Sequence, residues 1–165
     1  MPTPHADRTS QSIWCAVITV SDTRDETTDK SGQLIRSRLT ELGHIIAHYQ
    51  IVKDEPEHIA ALVTQLASRD DVQAILLNGG TGIAARDTTF DAIAPLLDKE
   101  LPGFGELFRH LSYVEIGSRA MASRAIAGTY HQTLIFSLPG SSKAVSLALE
   151  KLILPELQHL TGLIA

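Results

Sequence analysis

Asn78-Gly79-Gly80-Thr81-Gly82, followed by Arg86 and Asp87, carries the strongest chemical signal in the chain. Three glycines in four positions let the backbone approach a ligand closely and aim N–H groups at an anion. The order is neither Walker A nor GxGxxG, so on glycines alone a tight strand-to-helix turn without a ligand fits equally well. Arg86 and Asp87 favour phosphate, since a cation and a carboxylate beside such a nest suit a nucleotide with its metal. Asp87 also has a plainer reading, as the cap of a helix starting at Thr88.

A second signal is Ser137-Leu138-Pro139-Gly140-Ser141-Ser142-Lys143, where a strand ends, Pro-Gly turns the chain and a helix opens. Free N–H groups at a helix start attract anions, and a Lys there opposes the helix dipole, which calls for another cause. Taken alone, a solvated Lys near an ordinary N-cap explains it better. Third are the acids after the first two strands: Asp22 and Asp29, then Asp54 and Glu55. If the loops meet, Asp54 and Asp87 would share one Mg²⁺, which takes one or two carboxylates plus phosphate oxygens. For any single Asp, loop solubility and capping are the commoner roles. Lys53, Arg119 and Arg124 are further cations, each read singly as surface.

The elements that must position these residues alternate. The continuous β-rich run over 13–20 reads as a strand covered on both faces, 44–52 as a second strand and 72–78 as a third, buried one. Amphipathic helices follow, one from an N-cap at Ser31 with Ile35, Leu39 and Leu42 inward, one from Pro56 with Ile59, Leu62, Val63 and Leu66 inward. A helix is expected over 88–97, then a break at Pro102-Gly103 and a helix through Leu107, Phe108 and Leu111. Two short strands flank Tyr130-His131-Gln132, and a last helix from Ser141 should kink or end at Pro155. Trp14 reads as core. Strand and helix in alternation mean βαβ units: a three-layer α/β/α domain with a mainly parallel sheet, spanning 13–165 behind a loose tail at 1–12. In such sheets ligands bind beyond the carboxyl ends of the strands.

Composition narrows the function. The 165 residues suit one domain, with 44% apolar and 20% charged residues, enough for a core without disulfides. Lys plus Arg number 14 against 19 Asp plus Glu, so the chain carries −5 and lacks the basic surface that nucleic acid demands. No run approaches the ~18 apolar residues of a membrane span. One cysteine, Cys15, and seven scattered His show no zinc spacing, and a reducing, cytoplasmic setting is expected.

VITVSDTR at the first strand, Asp29 with Ser31-Gly32, NGGTGIAARDTT, ELPGFGELFR, SRAIAG and TLIFSLPGSSKAV, in this order over nearly the whole chain, resemble the MoaB/MogA family of molybdenum cofactor biosynthesis proteins, nearer the MoaB branch. The resemblance implies a three-layer α/β fold assembled as trimers or hexamers. It also implies use of MgATP to adenylylate molybdopterin with release of pyrophosphate. By that likeness Gly79, Gly80, Thr81 and Gly82 line the pocket, with Arg86 nearby; Asp87 positions Mg²⁺ and Asp54 is its catalytic partner. Pro139, Gly140, Ser141 and Lys143 hold nucleotide or pterin phosphate, and Asp29, Ser31 and Gly32 are further binding candidates. The alternative is a non-catalytic pterin-binding or assembly protein of the same fold. A nucleotide-pyrophosphate hydrolase of the CinA kind is disfavoured, because Ile83-Ala84-Ala85-Arg86-Asp87 departs from the GGLGPT-type loop expected there.

Overall fold

A computed structural model describes residues 11–165. The tail expected over 1–12 lies outside the described residues except for Gln11 and Ser12, which are exposed and in no regular element. In chain order the strands are β1 (Trp14–Val20), β2 (Ile45–Val52), β3 (Ala74–Asn78), β4 (Lys99–Glu100), β5 (Ile126–Tyr130) and β6 (Thr133–Leu138). The helices are α1 (Lys30–Glu41), α2 (Pro56–Ala67), α3 (Thr89–Ile93), α4 (Pro102–Ile116), α5 (Ser142–Ala148) and α6 (Leu154–Ile164). One six-stranded sheet has the order β2-β1-β3-β6-β5-β4. β2, β1, β3 and β6 are mutually parallel, and β5 and β4 extend the sheet antiparallel from β6.

Side-chain alternation along a strand sends neighbours to opposite faces. Cys15, Val17, Leu76, Leu134 and Phe136 therefore pack on Ile35 and Leu39 of α1, Phe104 and Phe108 of α4, Val145 of α5 and Leu157 of α6. Ala16, Ile18, Ile75, Leu77 and Ile135 face the other way, onto Ile59, Val63 and Leu66 of α2 and Ile93 of α3. The continuous apolar runs of β1, β3 and β6 follow from this double coverage. β2 is an edge strand and only half-buried.

Several boundaries differ from expectation, each for a local reason. Trp14 is 40% exposed, because it and its register partner Ile45 begin their strands at the rim of the sheet. α1 is capped by Asp29, not Ser31: the Asp29 carboxylate accepts from Gly32 N at 3.0 Å, and Leu42 falls after the helix and is exposed. The helix expected over 88–97 is short, and Pro95 helps tighten its continuation into a 3-10 turn over Ala94–Leu96. Pro102 and Gly103 are no break; Pro102 occupies the first turn of α4, where its missing N–H costs nothing. That helix buries Phe104, Gly105, Phe108 and Ser112, leaving Leu107 outside. Pro155 does not end the last helix. A π turn over Leu149–Ile153 precedes it, and the wider winding makes room for the proline, so α6 continues.

Candidate functional site

At the carboxyl edge of the parallel strands four loops converge: those after β1, β2, β3 and β6. β2 and β3 are not neighbours, since β1 lies between them. Their loops nevertheless meet. Asp54 is buried, and its Oδ1 accepts from Thr88 N at 3.0 Å and from the Thr88 hydroxyl. Thr88 follows Asp87 in the chain, so the Asp54 carboxylate is bonded to the residue next to Asp87. Thr88 occupies the N-cap position of α3 without a side-chain cap bond, its hydroxyl being given to Asp54; Asp87 turns its Oδ2 to Ala84 N at 3.0 Å within its own loop.

The glycine loop runs directly against both carboxylates. Gly79 and Gly80 have φ of +103° and +67°, which L-residues adopt only under strain. A Cβ on Gly80 would collide with Thr89 Oγ1 and stand 2.7 Å from Asp54 Oδ2; one on Gly82 would stand 2.6 Å from Asp87 Oδ2. The β6 turn closes on the same loop, with Gly79 N bonded to Leu138 O at 2.9 Å and Gly140 packed over Gly79. Ser141 caps α5, accepting from Ala144 N at 3.2 Å. Lys143 stands on this edge too, but its exposed side chain lines a groove of about 440 Å³ with Glu115, Ile116 and Glu150 of neighbouring helices.

Asp29, Ser31 and Gly32 form a layer beneath the loops. Asp29 is fully buried; its Oδ2 accepts from Thr19 Oγ1 at 2.7 Å and from the Tyr49 hydroxyl. Arg24 Nη1 stands 3.8 Å from Asp29 Oδ1. Arg24 Nη2 and Ser31 Oγ both donate to Gly140 O, at 3.0 and 2.6 Å. This layer holds the β6 turn in place from below. With its oxygens so engaged, Asp29 serves the scaffold of the site.

The electrostatics are those of an acidic rim. Arg86 is already occupied, with two nitrogens on the Asp22 carboxylate and Nη1 3.3 Å from Glu55. The Asp54 amide, donating at 3.1 Å, and then Arg86 hold the Asp22 carboxyl below the usual carboxylate range. A phosphate anion arriving here would meet Asp22, Asp54, Glu55 and Asp87, while the guanidiniums of Arg86, Arg24 and Arg124 are each engaged with a carboxylate or a carbonyl. A cation carried in with it would offset that charge.

The donor set fits such a cation in one form only. Among the described residues no group of three or more His, Cys, Asp and Glu is placed to hold a metal. Two carboxylates beside a phosphate nest match Mg²⁺ carried in on phosphate, which needs only one or two protein carboxylates. Among the described residues Asp54 Oδ2 and Asp87 Oδ1 accept no hydrogen bond from the protein, so each aspartate has an oxygen to offer. Two buried polar atoms also lack a protein partner among the described residues, Asn78 Oδ1 and Ser137 Oγ, at the ends of β3 and β6. Unsatisfied buried groups are rare and tend to mark function.

Residues that sequence reasoning missed act mainly through backbone. Thr89 donates from Oγ1 to Gly79 O at 2.9 Å. Arg124, read from sequence as surface, bonds Gly82 O and Asp87 O at 2.9 Å each and pairs with Asp91 at 3.0 Å. Nothing in residue type or spacing signals a bond to a carbonyl far along the chain.

Comparison with known proteins places the chain in a family. The family described as "Probable molybdopterin binding domain" matches residues 16–159, which include all four loops. The chain belongs to that family. It is 54% identical over 160 residues to Molybdenum cofactor biosynthesis protein B of Bacillus cereus, covering 96% of this chain and 95% of that protein. The Bacillus subtilis protein of the same name is 56% identical over 156 residues, covering 94% and 92%. A crystal structure of a Molybdenum cofactor biosynthesis protein B superposes with a TM-score of 0.92 at 53% identity, over 95% of this chain and 98% of that one. The tungsten cofactor synthesizing protein MoaB of Pyrococcus furiosus gives 0.83 at 37% identity, over 93% and 98%. The three-layer fold expected from the resemblance is thus the fold of the family.

Proposed function

We propose that this member of the molybdopterin-binding-domain family works in molybdenum cofactor biosynthesis, as its curated relatives are named, and that its reaction is MgATP-dependent adenylylation of molybdopterin. The observation that carries the reading is the meeting of Asp54 and Asp87 over the Gly79–Gly82 turn, although their loops leave non-adjacent strands. In the reaction a phosphate oxygen of the pterin attacks the α-phosphorus of ATP. A new P–O–P bond forms, the bond from the α-phosphorus to the β-phosphate bridge breaks, and pyrophosphate leaves. Both reactants are anions, so the work of the protein is positioning and charge neutralisation, and no side-chain nucleophile is required.

Each part of the site has a role in that scheme. The free oxygens of Asp54 and Asp87 would hold Mg²⁺, which when bound offsets phosphate charge. Thr88 fixes the Asp54 carboxylate by two hydrogen bonds, so it is oriented before substrate arrives. The Gly140 turn, clamped by Ser31 and Arg24, would form the opposite wall together with Pro139 and Ser141, and Lys143 stands at its outer edge with its side chain in the groove beside Glu115 and Glu150. Arg86 bridges the loops after β1 and β3, and its exposed guanidinium is the cation at hand for a phosphate that displaces Asp22 or Glu55.

The resemblance further implies self-assembly into trimers or hexamers. Tyr113, Val114, Ile116 and Met121, on α4 and the turn after it, are large apolar side chains between 54% and 80% exposed, and a second copy is the partner we assign to them. Among the described residues no helix is long and apolar enough to cross a membrane. We place the protein in the cytoplasm, without nucleic acid or membrane partners.

Pyrophosphate release from MgATP with and without molybdopterin tests the reading. Release should require the pterin, and Asp54→Asn and Asp87→Asn should each slow it by about 100-fold or more, as for loss of one transition-state contact. Equal turnover by wild type and both variants would end the assignment of the aspartates. The second reading, a non-catalytic binder of the pterin, draws support from the pairing of Arg86 with Asp22 and Glu55, which leaves that cation engaged. It predicts saturable pterin binding with no pyrophosphate at all.

A further inference from the structure

The carbonyls of the glycine loop are held in an unbroken series. Gly79 O accepts from Thr89 Oγ1 at 2.9 Å and Gly80 O from Thr89 N at 3.1 Å. Thr81 O accepts from Arg124 N at 2.8 Å, and Gly82 O from Arg124 Nε at 2.9 Å. Thr89 opens α3, and Arg124 is joined to the same helix through both Asp91 oxygens, with its guanidinium 5.0 Å over the Phe90 ring. Two carbonyls are therefore tied to the start of α3 and two to Arg124, which is itself joined to α3.

A trans peptide is planar, with its C=O and N–H pointing in opposite directions. Tying back one carbonyl turns the next residue's N–H the other way. The amides of Gly80, Thr81, Gly82 and Ile83 are thus turned away from the Thr89 and Arg124 ties, and among the described residues none of them donates to a protein acceptor. Successive free N–H groups in a turn with left-handed residues form an anion-binding concavity. The positive φ values of Gly79 and Gly80 give the turn that shape.

We propose that Arg124, assisted by Thr89, is the positioning residue that turns these four amides into a cradle for a di- or triphosphate. The proposal rests on the reading above that this loop holds phosphate, and names the device that shapes it. Arg124 acts by geometry. Its charge is already answered by Asp91, whose carboxyl it holds below the usual range. Its planar fork spans Gly82 O, Asp87 O and Asp91 at once, a pattern that a lysine ammonium cannot reproduce. Through Asp87 O it also anchors the residue bearing one of the two metal-site carboxylates.

The test is calorimetric binding of inorganic pyrophosphate, with and without Mg²⁺, to wild type, Arg124→Lys, Arg124→Ala, Thr89→Val and Arg69→Ala. Arg124→Lys keeps the charge and loses the fork; we expect it to bind pyrophosphate about 10- to 100-fold more weakly, the range for a lost hydrogen bond involving a charged group. Arg124→Ala should fall as far, and millimolar methylguanidinium should partly restore it, which a general loss of stability would not allow. Thr89→Val, which removes one of the four ties, should show a smaller loss in the same direction, and it decides the matter if the Arg124 variants do not fold. Arg69→Ala, whose ion pair with Asp71 stands before β3 at the far end of that strand from the glycine loop, should bind within about threefold of wild type. Wild-type affinity in Arg124→Lys, or no pyrophosphate binding by wild type, overturns the proposal. Arg124-dependent binding in a protein that releases no pyrophosphate from ATP and pterin would instead refute the adenylylation reading and leave this one standing.

Discussion

Replacing Gly80 by alanine tests the site where backbone and chemistry are most closely joined. At φ +67° an L-residue costs about 1–2 kcal/mol. The new methyl would also collide with Thr89 Oγ1 and sit 2.7 Å from Asp54 Oδ2, both on side chains held by hydrogen bonds. Overpacking of that kind adds about 1–3 kcal/mol, so the variant should lose about 2–5 kcal/mol. That is a large share of a typical total of about 5–15 kcal/mol, yet leaves a folded protein. For a chain of this size each kcal/mol moves Tm by about 2–4 °C, which gives a fall of about 4–20 °C. Gly43 supplies the control. Its φ is +83°, but nothing lies within 4 Å of a Cβ there, so Gly43→Ala should show the backbone cost alone, about 1–2 kcal/mol. Urea denaturation of both variants measures the difference, which is the collision term. Pyrophosphate release should fall in Gly80→Ala and stay unchanged in Gly43→Ala, because only the former displaces Asp54. Equal destabilisation of the two would refute the packing deduced for Gly80.

Three other outcomes are expected. Tyr49→Phe removes one hydrogen bond from the buried Asp29 carboxylate and should cost about 1–3 kcal/mol in urea denaturation; an unchanged midpoint would mean that the bond contributes nothing. His44 is buried with Nδ1 accepting from Ile13 N at 3.1 Å, and burial lowers its pKa. The folded state then favours neutral imidazole, so its contribution is complete above the ordinary value near ~6.5 and is lost as pH falls below it. The urea midpoint should drop on acidification from about pH 7 to about pH 5, and His44→Gln should flatten that slope. Val114→Glu places a charge in the exposed apolar surface of α4 and should lower the assembled mass measured by light scattering; an unaltered mass would show that the contact between copies lies elsewhere.

The parts of this protein legible in its sequence are those set by local pattern. β1, β3 and β6 read as unbroken apolar runs because helices cover both their faces, and α2 reads from Pro56 and its apolar stripe. The glycine turn is legible because positive φ admits few other residues, Asp54 because it follows a strand, and Asp87 because it follows that turn. Trp14 misled because its run of apolar neighbours hides the rim position at which it stands. Asp29 and Ser31 exchanged expected roles because either can cap a helix; contacts from Thr19, Tyr49 and Gly140 decide between them, and those come from distant chain.

Residue types and spacing alone determined the alternation of strand and helix, the phosphate-like turn and the acids available to it. Only the tertiary structure decided that β1 separates β2 from β3 while Asp54 still reaches the residue after Asp87, and that Arg124 holds carbonyls of the turn. The physical reason is that strand order and main-chain hydrogen bonds across long loops depend on how the layers pack, and backbone groups are the same in every residue, so they leave no mark on the amino-acid sequence.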